Sequence, residues 1–137
     1  MIVAIDGPSG SGKGTVTKMI AKKMGLINID TGAMYRCVGL AVLRNGLEIS
    51  DEKGIVGLVD TLNIEFEYVG YEIRVFLNGE DVTKEIRTPE VTTITSPVSA
   101  IIPVRLKMIE LQRKMAIGKD IIMEGRDICT YVFPNAD

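Results

Sequence analysis

The chain has 137 residues, 46% hydrophobic and 25% charged, with 16 basic against 18 acidic side chains for a net charge of −2. That length and balance fit a soluble domain with one core and exclude a disordered chain or a bulk electrostatic binder of nucleic acid. There is no histidine, and the two cysteines, Cys37 and Cys129, have no metal-like spacing, which argues against a zinc site; no apolar run approaches the ~20 residues of a membrane span.

Ile2, Val3, Ala4 and Ile5 form a short apolar run ending at Asp6, and Gly7, Pro8, Ser9, Gly10, Ser11, Gly12, Lys13, Gly14 and Thr15 follow it. Behind them Lys18, Met19, Ile20 and Met24 recur at helical spacing up to Gly25. Strand, glycine-rich turn and helix, in that order, are the setting of the phosphate-binding P-loop, G-x-x-x-x-G-K. The glycines let successive backbone N–H groups turn into one hollow. The helix directs its positive end there, and Lys13 adds a mobile charge. Gly14 stands where a Ser or Thr is usual, with the hydroxyl one place later at Thr15. No direct metal ligand is therefore assigned, and Mg²⁺ is expected on nucleotide phosphates and water, as suits its reluctance to dehydrate.

Leu26 to Asp30 reads as a second strand. Asp30 or Thr31 caps a helix carrying Met34, Val38, Ala41 and Val42 on one side and stopping at Gly46. Ser50-Asp51-Glu52 is a further cap, opening a short helix through Leu62. From Asn63 the period becomes two: Ile64, Phe66 and Tyr68, then Ile73, Val75 and Leu77, with a turn at Val69-Gly70-Tyr71. Asn78-Gly79 is a strong second turn signal, and Asp81-Val82-Thr83 a candidate third strand. Hairpin-linked strands do not fit a βαβ winding, so a small antiparallel sheet inserted into an α/β chain is expected.

Thr88-Pro89-Glu90 starts a helix. Ser96-Pro97 and Pro103 predict short or bent helices up to Pro103, and Val104 to Ala116 carries an apolar stripe of Met108, Ile109, Leu111 and Met115. Ile121-Ile122-Met123 reads as a buried strand running into Glu124-Gly125-Arg126-Asp127. Asp6, Asp30 and Glu124 thus fall at the carboxyl ends of three strands, where open parallel sheets bind ligands. Met1 leading straight into a strand predicts no signal peptide, hence a cytosolic protein with reduced thiols.

The phosphate loop supplies the donor half of a phosphoryl transfer, which needs charge neutralisation and alignment more than covalent help. A phosphorylated acceptor calls for guanidinium groups, and Arg36, Arg105 and Arg126 follow successive strands or open a helix. The residues alone leave three readings open. These are a kinase of one particular nucleoside monophosphate, a kinase of another small acceptor (UMP, another nucleotide, a nucleoside or a metabolite hydroxyl), and a nucleotide-binding module without turnover.

GPSGSGKGT, DTGAMYR, GEDVTKEIRTPEV and EGRDICTYVFP, in this order and over nearly the whole chain, resemble the bacterial cytidylate kinases. The third segment, with the alternating strands before it, is the most specific. The resemblance implies a P-loop NTPase-type parallel sheet flanked by helices, with a small antiparallel insert in the monophosphate-binding region. It divides one kinase domain into a P-loop core and start of the acceptor region (1–62), the insert (63–88), and acceptor-side helices returning to the core sheet (89–137). It implies ATP-dependent phosphorylation of CMP and dCMP with Mg²⁺, by a cytoplasmic enzyme that is monomeric at full length, with neither nucleic acid nor membrane as partner.

Carried over residue by residue, Gly7 to Thr15 match the ATP phosphate loop, with Lys13 bridging the transferring phosphate. Thr31 matches a small hydroxyl residue near the acceptor, and Arg36 and Arg126 match phosphate ligands. Ser96, Arg105 and Asp127 match positions that recognise cytosine. Cytosine offers an amino donor and a bare ring nitrogen, and a site with complementary groups rejects an analogue that leaves them unpaired. Pro97 stands where a polar residue is expected, and Cys129 where glycine is frequent. The family continues past FPNAD into another core strand, an arginine-rich lid and a final strand and helix. The resemblance therefore implies a truncated N-terminal portion that is not an efficient enzyme by itself.

Overall fold

The computed structural model of the protein describes residues 2–6, 19–20, 23–24, 27–69, 72–117 and 121–125. The described elements, in chain order, are β1 (Ile2–Asp6), β2 (Ile27–Asp30), α1 (Thr31–Arg44), α2 (Glu52–Val59), β3 (Ile64–Val69), β4 (Glu72–Leu77) and β5 (Glu80–Asp81). A 3₁₀ turn (Glu85–Arg87), α3 (Pro89–Ser99), α4 (Ile102–Ala116) and β6 (Ile121–Gly125) complete them. The expected first helix is represented by Met19, Ile20, Lys23 and Met24, all helical. The chain divides into two compact units, one drawn from Met1–Gly32, Gly70–Glu72 and Ile109–Asp137, the other from Ala33–Val69 and Ile73–Met108.

The first unit holds a three-stranded sheet in the order β1-β6-β2. Both pairings are parallel, with Ile2 and Ile27 each opposite Ile121. Unbroken apolar runs, rather than alternation, are what a strand covered on both faces requires. Accordingly Ile121 and Ile122 are fully buried, and Val3 and Ile20 pack on Ile122. No described helix is long and apolar enough to cross a membrane.

The second unit contains a separate small antiparallel sheet in the order β3-β4-β5, as the period-two stretches predict. Asn78 and Gly79 both adopt positive φ, 51° and 84°. That is the backbone an Asn-Gly hairpin turn requires, and it sets the antiparallel pairing of Phe76 with Asp81. Asn78 also ties the start of β3 to the end of β4. Its backbone N–H donates to Asn63 O (2.7 Å) and its side chain accepts from Asn63 N (2.8 Å). The third strand is shorter than expected, Glu80–Asp81 alone. Thr83 is instead turned back, its hydroxyl accepting from Val75 N and donating to Asp81.

Helix ends follow the local signals. Gly46, at φ +63°, closes α1: its N–H donates to Leu43 O and that of Leu47 to Val42 O, at 3.1 and 3.2 Å. This pair of bonds is the glycine-terminated Schellman ending. Asp51 caps α2 by accepting from Gly54 N at 3.0 Å. That helix ends at Val59 rather than Leu62, because Thr61 and Leu62 bond three residues back and form tight turns. Thr88 caps α3, with Pro89 in its first turn.

Two proline expectations are corrected. Helix α3 runs through Ser96-Pro97 to Ser99, since Pro97 falls in the last turn, where its missing N–H removes one bond and the end still closes through Ala100 and Ile101. Helix α4 begins at Ile102, not Val104, because Pro103 sits in the first turn, where an N–H has no helical partner anyway. Glycine matters once more inside the second unit: a Cβ on Gly39 of α1 would stand 2.7 Å from Thr95 Oγ1 and 3.2 Å from Ile94 Cγ2 of α3. The two helices approach closely because residue 39 has no side chain.

Candidate functional site

The site begins at the carboxyl edge of the parallel sheet. Asp6 is in register with Gly125, and Asp30 with Glu124, so the three strands end level. This is the alignment the sequence reading expects of Asp6, Asp30 and Glu124. Helix α1 starts directly after Asp30, with Thr31 only 3% exposed. Asp30 Oδ1 lies 3.2 Å from the place a Cβ on Gly32 would occupy, so the glycine leaves room for the carboxylate beside the first turn. A hydroxyl residue and a carboxylate thus meet the N-terminus of a 14-residue helix, whose orphan N–H groups attract anions. The expected phosphate loop, Gly7, Pro8, Ser9, Gly10, Ser11, Gly12, Lys13, Gly14 and Thr15, lies outside the described residues, as do Arg126 and Asp127.

In the second unit Arg36 is half-buried in the second turn of α1. Its Nη1 donates to Ile86 O of the 3₁₀ turn at 3.1 Å and to Thr92 Oγ1 of α3 at 2.8 Å. Ser96 is exposed on α3, one turn beyond Thr92. Arg105 is exposed in the first turn of α4, its backbone N–H bonded to Ile101 O at 3.1 Å. The structure therefore brings Arg36 onto the helix that carries Ser96. Sequence reasoning did not single out Thr92 or the Ile86 carbonyl. The available signal was the four-residue spacing of Thr92 and Ser96, which puts both on one face of a helix.

A second guanidinium, Arg44, acts differently. It forks onto Glu80 with Nη1–Oε1 3.0 Å and Nη2–Oε2 2.9 Å, and reaches Glu85 Oε2 at 2.6 Å. The hydrogen bonds to Glu80 and Glu85 raise the Arg44 pKa further above its already high value. The same contact with Arg44 lowers that of Glu80. Asp81 is lowered too, first by the Thr83 hydroxyl and backbone N–H, and also by Arg74 at 3.1 Å. These groups build scaffold. A cleft of about 320 Å³ is lined by Arg44, Asn45, Thr61, Asn78 and Glu80 among others, and by none of the expected site residues. Its polar groups are engaged locally: Asn45 with Ala41 O, Thr61 with Leu58 O, Asn78 with Asn63 N. Among the described residues no group of three or more Cys, Asp or Glu gathers in a way that could hold a metal ion.

The profile of the cytidylate kinase family matches residues 3–137. A protein of Geobacter sp. (strain M21) named cytidylate kinase is 52% identical over 137 residues, covering 100% of this chain and 59% of its own length. Like-named proteins of Caldicellulosiruptor bescii and Lactobacillus gasseri are 49% and 53% identical, over 98% and 100% of the chain and 60% of each relative. The chain thus spans about 60% of the length of these curated relatives. With a family profile matched from Val3 to Asp137 and half of its residues shared with such proteins, the chain belongs to the cytidylate kinase family.

Proposed function

We propose that the protein carrying this chain transfers a phosphoryl group from ATP to CMP and dCMP, yielding the diphosphates. In this reading the fold is of the P-loop NTPase type, and residues 63–88 are an insert in the monophosphate-binding region. Gly7 to Thr15 cradle the ATP phosphates, with Lys13 reaching the one in transit. Thr31, Arg36 and Arg126 meet the acceptor's phosphate end. Ser96, Arg105 and Asp127 meet cytosine. Mg²⁺, when bound, would neutralise phosphate charge, and with Gly14 in place of the usual hydroxyl residue the reading keeps it on the nucleotides and water. The partners are small nucleotides, the setting is the cytoplasm, and the full-length protein is a monomer.

The observation that carries this reading is the anchoring of Arg36. A cation on the helix that follows Asp30-Thr31 is held against α3 within one turn of Ser96. That is a phosphate-binding group beside a base-binding group. The test is calorimetric titration and a coupled transfer assay on the full-length protein over a panel of monophosphates. CMP and dCMP should be preferred to UMP and AMP, and Arg36→Met should weaken CMP at least tenfold while ATP binding is unchanged. Preference for UMP or AMP, or loss of ATP binding alone in Arg36→Met, would refute it.

A further inference from the structure

Helix α3 is rich in hydroxyls, and they are used in two ways. Thr93 Oγ1 donates to Pro89 O at 2.9 Å, Thr95 Oγ1 to Val91 O at 2.6 Å, and Ser99 Oγ to Ser96 O at 2.9 Å. Those three bond back onto their own helix, a frequent fate of helical Ser and Thr. Thr92 faces elsewhere: its Oγ1 accepts from Arg36 Nη1 at 2.8 Å. The same nitrogen donates to Ile86 O at 3.1 Å.

A guanidinium has five N–H donors in a rigid plane. Among the described residues both hydrogen bonds of the Arg36 side chain leave from Nη1. That atom's two N–H groups are thereby directed at protein oxygens, and the plane of the group is fixed. The edge formed by Nε and Nη2 is the pair whose spacing matches two oxygens of one phosphate. Thr92 and Ser96 are both exposed and lie about 6 Å apart along one face of α3. One face of one helix thus carries the hydroxyl that sets the arginine and, a turn further, the serine assigned to the base.

We propose that Thr92 is a positioning residue for the acceptor phosphate. It holds Arg36 by Nη1 so that the Nε–Nη2 edge meets the monophosphate, ordered before the ligand arrives. A pre-set arginine loses less freedom on binding, which raises affinity without any new contact to ligand. The inference rests on the kinase reading above.

The test compares wild type, Thr92→Val, Thr92→Ser, Arg36→Met and the Arg36→Met/Thr92→Val double variant, titrated with CMP, cytidine and ATP. Valine keeps the shape at an exposed position, so the fold should persist, and thermal melts check this. Thr92→Val should weaken CMP about fivefold, leave cytidine and ATP unchanged, and be restored by Thr92→Ser. Added to Arg36→Met it should have no further effect, because its whole influence passes through that side chain. Equal losses for CMP and cytidine, no loss for CMP, failure of serine to restore binding, or additivity with Arg36→Met would each overturn the proposal. If wild type itself does not prefer CMP to cytidine, the kinase reading falls and takes this inference with it, a result that needs no Thr92 variant.

Discussion

The two units organise their candidate chemistry by different means. In the first, backbone register does it: three parallel strands end level, bringing Asp6, Asp30 and Glu124 to one edge with Thr31 opening a helix there. In the second, side chains do it: Arg36 is set by partners 50 and 56 residues away, and Arg44 by partners 36 and 41 away. A ladder of peptide bonds tolerates exchange of most side chains along it. A guanidinium held by one hydroxyl and one carbonyl depends on both. The first arrangement is robust to substitution; under the proposed function the second is where discrimination between acceptors would be tuned.

The largest expected effects separate these two logics. Ile122 in β6 and Ile86 in the 3₁₀ turn are both fully buried, and truncating either to alanine should cost about 2–5 kcal/mol in denaturant titrations. Only Ile86→Ala, which loosens the turn whose carbonyl holds Arg36, should also weaken CMP relative to cytidine. Equal ligand effects from both variants would erase the distinction.

A smaller effect is expected at the α1–α3 approach. Gly39→Ala would put a Cβ 2.7 Å from Thr95 Oγ1, a short side chain whose hydroxyl is already bonded to Val91 O, so the helices must separate. We expect a loss of about 1–3 kcal/mol, despite alanine's better helix propensity, read from the urea midpoint.

The smallest effect is electrostatic. Glu80 and Asp81 are both held below the usual carboxylate range. Lowered carboxyl pKa values contribute stability that is present above the unfolded values, about 4, and is lost as pH falls through the folded ones. Denaturation midpoints of the second unit should therefore decline below about pH 4, modestly, since both groups are exposed. Arg44→Met should flatten part of that decline, and added salt should mimic it. An unchanged acid profile in Arg44→Met would show that the Arg44–Glu80 pair contributes nothing.

Most of this fold was legible because its signals are local. The apolar run before Asp6, the Asn-Gly turn, the Thr88-Pro89 start and the Gly46 stop each act through their immediate neighbours, and the structure places each element as read. Pro97 and Pro103 misled because a proline's effect depends on which turn of the helix it occupies, and the ends of α3 and α4 are set by packing and capping together. Of the candidate site, Arg36 was singled out by its place after Asp30-Thr31, but its partners in the structure were not. Nothing local links residue 36 to the Ile86 carbonyl or to Thr92; only the packing of α1 beside α3 does. The same holds for Arg44 with Glu80 and Glu85.

The order β1-β6-β2 also bears on how the chain reaches this state. The strand between the two others is the last of the three to leave the ribosome. Among the described strands, β1 and β2 have no bonded neighbour in this sheet until residues 121–125 emerge. Such distant pairing is slow and prone to association between chains, while the second unit closes wholly from earlier sequence. During synthesis, then, the unit built from residues 33–69 and 73–108 can take shape first, and the parallel sheet waits for its centre strand.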